Sequence, residues 1–348
     1  MEVQERMIIM MLQGFTTSYL ICAACELELF DHLHQGEIYH GEMTVAKLSS
    51  QLAVEEELLY RLLRPLLALQ LIQEADGVFF LTALGKRLSK HSENSLKDLA
   101  LFCGRESMPC WAKLYEAVKL RTLPYLLVEK QPFFAAQHGD REKFSIFNSM
   151  MRNSSKNLNL SAYFAQQPDK SQINAIVDIG GGAGDIMAKF LHFYHKATGI
   201  IVDLEHVRDE AQRNLTICSI NQRCRFATGN FFEKLAVQAD LFILSRILHD
   251  WDDEKAGEIL KNTGQAMTED SRLLVIEKLM PDSITRDCLP LYLNDLYIWS
   301  VCGGKERTEA EFIKLFRASG LVLNKKYRLT ADEYVLEVKK EYCGEEIV

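Results

Sequence analysis

The run Ser245-Arg246-Ile247-Leu248-His249-Asp250-Trp251 follows four apolar residues, Leu241 to Leu244. Those four read as a buried strand, so His249 stands just past a strand's carboxyl end, where open α/β sheets bind their ligands. An imidazole in that place can remove a proton from a hydroxyl group. It can equally do no more than cap the strand or the helix that follows. Glu277 closes the next apolar run, Leu273 to Ile276, and Glu306 lies in Gly303-Gly304-Lys305-Glu306-Arg307-Thr308. Either carboxylate could fix the tautomer of the imidazole and steady its positive charge. Glu306 also reads as an ordinary loop residue, because Thr308 and Glu311 form a capping box for the next helix without it.

A second group of residues suggests what the base would serve. Ile176, Val177 and Ile179 read as a strand, followed by Gly180, Gly181, Gly182 and Gly184 and then a helical pattern from Asp185. A strand, a glycine turn and a helix N-terminus let a backbone approach a nucleoside closely. The dinucleotide pattern G-x-G-x-x-G does not fit: from Gly180 its last glycine would be Asp185, and from Gly182 it would be Met187. An acid in the first helical turn also repels a pyrophosphate. The next apolar run, Gly199 to Val202, ends on Asp203, whose carboxylate can accept both ribose hydroxyls. A loop that takes a ribose without a diphosphate points to S-adenosylmethionine; the same residues also suit a plain tight turn of an α/β domain. Past the later strand ends lie Gly229, Asn230, Phe231, Ser245 and Arg246, candidates by position.

If that cofactor binds, the base has a task. A phenol has a pKa of about 10 and attacks poorly until its proton is removed. A sulfonium is already an activated leaving group, so the reaction requires no metal.

The elements that must position these residues alternate. After Asp203 come a helix from Glu205 to Leu215, a strand from Arg225 to Thr228, and the strand Leu241 to Leu244. A helix from Asp253 to Met267 and a strand from Leu273 to Ile276 follow. This is the pattern of a parallel sheet covered by helices. Leu321 to Leu329 and Tyr334 to Val338 have too short a link for a crossover, so they pair as a hairpin.

The part before residue 169 reads differently. Residues 4 to 34 read as one helix, and a polar break follows from Gln35 to Glu42. Thr44 opens a short helix, and Val54 to Leu71 forms a longer one kinked at Pro65. Val78 to Leu81 form a strand after Gly77. Two helices and a small hairpin make a winged-helix pattern, but Glu55, Glu56 and Glu57 would face phosphates with the wrong sign. Leu96 to Cys103, Trp111 to Lys119 and Arg141 to Tyr163 read as further helices, the first two separated by Pro109. Polar residues around Pro168 mark a boundary between a domain of residues 1–168 and one of 169–348.

Composition sets outer limits. The 348 residues are 48% hydrophobic and 25% charged, with a net charge of −8 and 9 cysteines. The charge opposes nucleic acid as a partner. The apolar run Met7 to Leu12 breaks at Gln13 and Gly14, short of a membrane span. Nine scattered cysteines without a visible signal peptide fit reduced thiols in the cytoplasm. Cys22-Ala-Ala-Cys25 sits in an apolar helical stretch and reads as packing.

Taken together, D-I-G-G-G-A-G, D-L-E-H-V, G-N-F-F, I-L-H-D-W-D-D, V-I-E and G-G-K-E-R-T, in this order, resemble the S-adenosylmethionine-dependent O-methyltransferases of the caffeate and hydroxyindole type. The resemblance covers nearly the whole chain. It implies that His249 is the catalytic base, flanked by Glu277 and Glu306. It further implies that Gly180, Gly182, Asp203, Gly229, Asn230, Phe231, Ser245 and Arg246 line the cofactor, and that Met151 and Asp250 lie near the acceptor. A homodimer with intertwined N-terminal domains is also implied. Trp299 joins the acceptor residues as a flat face for an aromatic ring. Two departures stand out: Asn230 where the family usually has Asp, and Tyr297 and Val301 where hydroxyindole enzymes carry amides.

The expected fold is α/β, a doubly wound class I methyltransferase sheet of seven strands whose last two form an antiparallel hairpin. A mainly helical, winged-helix-like dimerisation domain precedes it. The expected reaction is metal-independent methyl transfer from S-adenosylmethionine, leaving S-adenosylhomocysteine, to a hydroxyl of a small aromatic. Expected partners are that acceptor and a second copy, with neither nucleic acid nor membrane. Alternatives are a methyltransferase acting on nitrogen or on a non-aromatic natural-product hydroxyl, a NAD-dependent dehydrogenase, and a winged-helix ligand-sensing regulator.

Overall fold

In a computed structural model, residues 3–167 and 172–341 are described. The expected junction between residues 168 and 169 lies outside the described residues. The chain divides into two compact units, Met1–Glu116 with Phe134–Asn153, and Ala117–Phe133 with Ser154–Val348.

In the first unit the expected single N-terminal helix is two, Val3–Glu26 and Leu29–Ile38. Glu28 between them adopts a left-handed conformation with φ 55°, which turns Leu29, Phe30 and Leu33 into the core. The second helix runs through Gly36, into the stretch read as a break. Asp31 is buried with them and stabilised by an ion pair with Lys97 and by the Lys90 N–H at 2.7 Å. The first helix passes Gln13 and Gly14 without interruption, because neither residue forbids helix and each only weakens it. Its span Gln4–Glu26 is long and apolar enough, by length and composition, to cross a membrane, which corrects the expectation that the run is too short. Cys22 and Cys25 are buried on that helix.

Thr44 caps the helix Val45–Leu52 through the Lys47 N–H, and Glu56–Ala68 follows with Glu56 and Glu57 exposed in its first turn. Strands β1 (Ile72–Ala75) and β2 (Val78–Leu81) form a hairpin around Asp76 and Gly77. Pro109 does not separate two helices. It sits in the first turn of Met108–Ala112, which continues from Lys97–Phe102 through a π-turn at Cys103–Ser107. Pro109 removes one i→i−4 hydrogen bond from this run, and the change from α to π spacing falls in the turn immediately before it.

The second unit is built on a seven-stranded sheet. In chain order the strands are β3 (Ala175–Ile179), β4 (Thr198–Asp203), β5 (Cys224–Thr228), β6 (Leu241–Ser245), β7 (Arg272–Met280), β9 (Leu321–Arg328) and β10 (Glu333–Lys340). The spatial order is β5-β4-β3-β6-β7-β10-β9, and the two-residue β8 (Arg307–Thr308) pairs with β7 off this path. Five neighbouring strands are parallel, while β10 runs antiparallel to both β7 and β9, so the last two form the expected hairpin. Val177, Ile179, Phe242, Leu244, Leu273, Val275, Leu336 and Val338 are fully buried on the strands. The chain winds outward from β3 through β4 to β5 and then returns to β6 on the other side of β3. The crevice of such a reversal lies at the carboxyl ends of β3, β4 and β6.

β7 is longer than the apolar run suggested. Its last pairing with β6 is Ser245↔Ile276, but its ladder with β10 continues through Tyr334↔Glu277 and Glu333↔Lys278. Glu277 is therefore inside a strand rather than at its end. Its β6 side is free to meet whatever the chain does after Ser245.

Candidate active site

What the chain does there is turn sharply. Arg246 has φ 55°, a strained conformation for a non-glycine residue, and its N–H still bonds to Ile276 O at 2.9 Å. The turn Leu248–Asp250 follows. Glu277 anchors it: Oε1 accepts the N–H groups of Ile247 at 3.1 Å, Leu248 at 2.9 Å and His249 at 3.4 Å. Arg307, fully buried, holds the other side. Its guanidinium donates to Leu248 O and Trp251 O, each at 2.7 Å, and to Asp253 Oδ1 at 2.9 Å. The glycine before Lys305 lets this happen, since a Cβ on Gly304 would lie 1.9 Å from His249 O. The I-L-H-D-W and G-G-K-E-R-T segments are thus packed backbone to backbone.

This packing delivers three side chains to one point. His249 Nδ1 lies 3.4 Å from Glu306 Oε1 and 3.5 Å from Glu277 Oε2, while its Nε2 lies 3.6 Å from Asp250 Oδ1. Glu277 and Glu306 are buried, and Oε2 of each has no hydrogen-bond partner. Burial works against a charged imidazole, but Glu277, Asp250 and Glu306 outweigh it and push His249 up to about 10. Burial likewise pushes Glu277 up to about 7, against the pull of His249. It also raises Asp250 above the usual carboxylate range. The helix Leu289–Cys302 reaches the same group: Asn294 Nδ2 donates to Glu306 Oε1 at 2.8 Å and Cys302 Sγ lies 3.6 Å from Asp250 Oδ1. His249, Glu277 and Glu306 offer ligand atoms within 4.8 Å of one another, a spacing that a divalent ion could also bridge.

The glycine loop lies at the carboxyl end of β3. Gly180, Gly182 and Gly184 have φ of 68°, 54° and 84°, a region open to glycine at no steric cost. A Cβ on Gly180 would meet Ile247 Cδ1 at 2.6 Å, whereas one on Gly182 would meet nothing within 4 Å. Asp203 ends β4 and its Oδ2 accepts the Gly182 N–H at 2.8 Å, so the carboxylate shapes the loop. Three carboxylates converge on this loop. Asp178 is buried beneath it with Oδ2 unpartnered, pushed up to about 8 by burial and by the charge of Asp203. Asp185 is buried in the first turn of Asp185–Phe193.

The remaining sequence-predicted residues fall as follows. Gly229 donates its N–H to Asp203 O at 3.0 Å, and Asn230 Oδ1 accepts the Phe232 N–H at 3.1 Å, so the amide closes its own turn. The Phe231 ring approaches the place a Gly180 side chain would take. It packs edge-on to Phe232 and Trp251, with centroids 4.9 and 6.0 Å away. Ser245 ends β6, and the Arg246 guanidinium is held by Glu333 and Ser154. Trp299 and Tyr297 are half-buried and Val301 is buried, all on Leu289–Cys302. Met151 is 38% exposed on Arg141–Asn157 and belongs to the first unit.

Sequence reading missed Asp178, Asn294, Arg307 and Glu333. Asp178 carried a signal, an acid inside the apolar run Ala175 to Ile179. Arg307 carried one by adjacency to Glu306. Asn294 and Glu333 carried none, since only the tertiary fold gives them partners.

Comparison with known proteins bears on the family and the fold. Residues 111–322 match the family model of the O-methyltransferase domain, and residues 9–91 match that of the O-methyltransferase dimerisation domain. The chain is 30% identical over 323 residues to O-demethylpuromycin-O-methyltransferase of Streptomyces alboniger, covering 91% of this chain and 83% of that protein. It is 30% identical to acetylserotonin O-methyltransferase of Bos taurus, covering 88% and 89%. Its fold matches that of human N-acetylserotonin methyltransferase solved in complex with S-adenosylmethionine, with a TM-score of 0.86 and 25% identity over 98% and 99% of the two chains. The mitomycin 7-O-methyltransferase structure matches with a TM-score of 0.86 and 28% identity over 97% and 98%. The chain belongs to the S-adenosylmethionine-dependent O-methyltransferase family.

Proposed function

We propose that this enzyme methylates a hydroxyl of a small aromatic acceptor with His249 as general base. The observation that carries the reading is the imidazole itself, with Nδ1 between two buried carboxylates and Nε2 turned away from them, 3.6 Å from Asp250 Oδ1. In the neutral ring, two carboxylates against Nδ1 keep the proton on that nitrogen, which leaves Nε2 as the acceptor of the hydroxyl proton. As Nε2 takes that proton, Glu277 and Glu306 stabilise the charge that appears on the ring.

The residues proposed to hold S-adenosylmethionine are Gly180, Gly182, Asp203, Gly229, Asn230, Phe231, Ser245 and Arg246. The loop fits this group better than a dinucleotide: Asp203 and Asp185 stand at its edge as acids, which favours a cationic ligand and disfavours a diphosphate, while burial holds Asp178 beneath it largely protonated. When bound, the cofactor supplies a methyl group on a sulfonium, which needs no metal for activation. Asp250 and Trp299 are proposed to face the acceptor. Relatives named for phenazine, mitomycin and acetylserotonin substrates favour a flat ring system.

The proposed assembly is a homodimer. Met10, Met11, Leu12 and Phe15 are exposed by 61 to 69% on Val3–Glu26, within the stretch that matches the dimerisation model from residue 9 onward. A second copy would cover them; neither nucleic acid nor a membrane is part of the proposal. A cytoplasmic setting is part of it, supported by the eight free cysteines among the described residues.

His249→Ala tests the mechanism. It should lower turnover by about 10²-fold or more while S-adenosylhomocysteine binding, measured by calorimetry, stays within a factor of two or so. Near-normal turnover would remove His249 from the reaction.

A further inference from the structure

Glu277 and Glu306 both face His249 Nδ1, but they are held in different ways. Three main-chain N–H groups fix Glu277. Glu306 is gripped by two consecutive residues of the helix Leu289–Cys302. Asp295 Oδ1 accepts its backbone N–H at 2.8 Å, and Asn294 Nδ2 donates to Oε1 at 2.8 Å. Because a carboxylate only accepts, the amide group turned to it must be the NH₂. Glu306 Oε1 is also the oxygen that faces the imidazole, at 3.4 Å, while Oε2 is buried with no partner. One donor therefore decides which oxygen of a buried carboxylate meets His249.

We propose that Asn294 is a positioning residue that aims Glu306 Oε1 at His249 Nδ1 without neutralising the charge of Glu306. A lysine or arginine in that place would also aim the carboxylate but would compete with the imidazolium for its charge. An amide supplies the hydrogen bond alone. Without it Oε1 keeps only the imidazole, and the side chain is free to turn either oxygen toward the ring. The other charged or titratable groups around His249 are Glu277 from β7, Asp250 on the same turn and Cys302 beside Asp250, with Asp295 on the backbone of Glu306. None of them replaces the donor.

The inference rests on the proposed pairing of His249 with Glu306, and a double-mutant cycle separates the two. Asn294→Leu keeps the shape and removes the donor. It should lower turnover about tenfold or more, with KM for S-adenosylmethionine and affinity for S-adenosylhomocysteine unchanged. In a Glu306→Gln background the same change should cost less than about twofold, because residues acting through one another are not additive. An NMR titration of His249 in the ligand-free enzyme should show its midpoint falling in Asn294→Leu, in the same direction as in Glu306→Gln. Asn294→Ala, read the same way, covers a leucine that the fold does not accommodate. An equal loss in both backgrounds, or wild-type turnover and titration in both Asn294 variants, would overturn the proposal. If Glu306→Gln itself changes neither turnover nor the titration, the pairing with His249 fails, and the proposal with it.

Discussion

Replacing Glu306 by glutamine is the sharpest test of how the site controls its base. Oε1 of Glu306 lies 3.4 Å from His249 Nδ1, and Glu306 is buried. Two unit charges at that distance interact by about 5 kcal/mol at an effective dielectric of about 20. The real charges are spread over two oxygens and an imidazolium ring, Glu277 and Asp250 remain, and the glutamine oxygen still accepts the Nδ1 proton. Roughly a third of that energy is the expected loss, which is about one pH unit in the His249 midpoint. The sign follows from the role of the base. Only neutral imidazole accepts a proton, so kcat/KM rises with pH through the His249 pKa, which the carboxylates push up to about 10 in the ligand-free protein. Glu306→Gln must move this rising limb to lower pH. The plateau rate should fall about tenfold or more, because the imidazolium formed in the transition state loses a counter-charge. The same shift appears in stability. The raised His249 pKa stabilises the fold fully below the unfolded value of about 6.5, and that contribution is lost as pH rises through about 10. The variant should lose part of it at neutral pH. Rate profiles and thermal melts from roughly pH 6 to 11.5, a range that passes both the unfolded value and the folded midpoint, give both readings. A limb that stays in place, or moves to higher pH, refutes the electrostatic account.

Three further outcomes are expected. Gly304→Ala should abolish most turnover and lower the melting midpoint, because its Cβ would sit 1.9 Å from His249 O and must displace the turn; an active variant of normal stability would mean the two segments are not packed as described. Treatment with a strong chelator should leave turnover unchanged, since the proposed proton transfer needs only His249 and its carboxylates. Loss of activity restored by a divalent ion would instead assign His249, Glu277 and Glu306 to a metal. Met11→Lys, at a position 66% exposed on Val3–Glu26, should weaken self-association measured by sedimentation. An unchanged oligomeric state, or flotation of the wild-type chain with lipid vesicles, would point away from a second copy as the cover of that helix.

The sequence by itself determined the parts of this protein whose physics is local. A glycine run between a strand and a helix can serve few purposes, and Gly180, Gly182 and Gly184 do take the left-handed conformations their type allows. Alternating apolar runs determined the parallel strands, and the short link after Leu329 determined the hairpin, because chain length alone rules out a crossover. The Thr308–Glu311 capping box was legible for the same reason, and it is present. His249 and Glu306 were legible as residue types in a suggestive place.

Whatever depended on a distant partner was decided only by the tertiary structure. β7 extends past Ile276 because β10 pairs along it, and this puts Glu277 inside the strand with an oxygen turned onto the His249 backbone. The two N-terminal helices part at Glu28 because the core needs Leu29, Phe30 and Leu33 together, a demand no helical pattern announces. Arg307 and Asn294 act through atoms more than ten positions away in sequence: the first holds the turn of the base, the second touches its carboxylate. Spacing along a chain sets backbone conformation. The field around an imidazole is set by which charges the fold buries beside it.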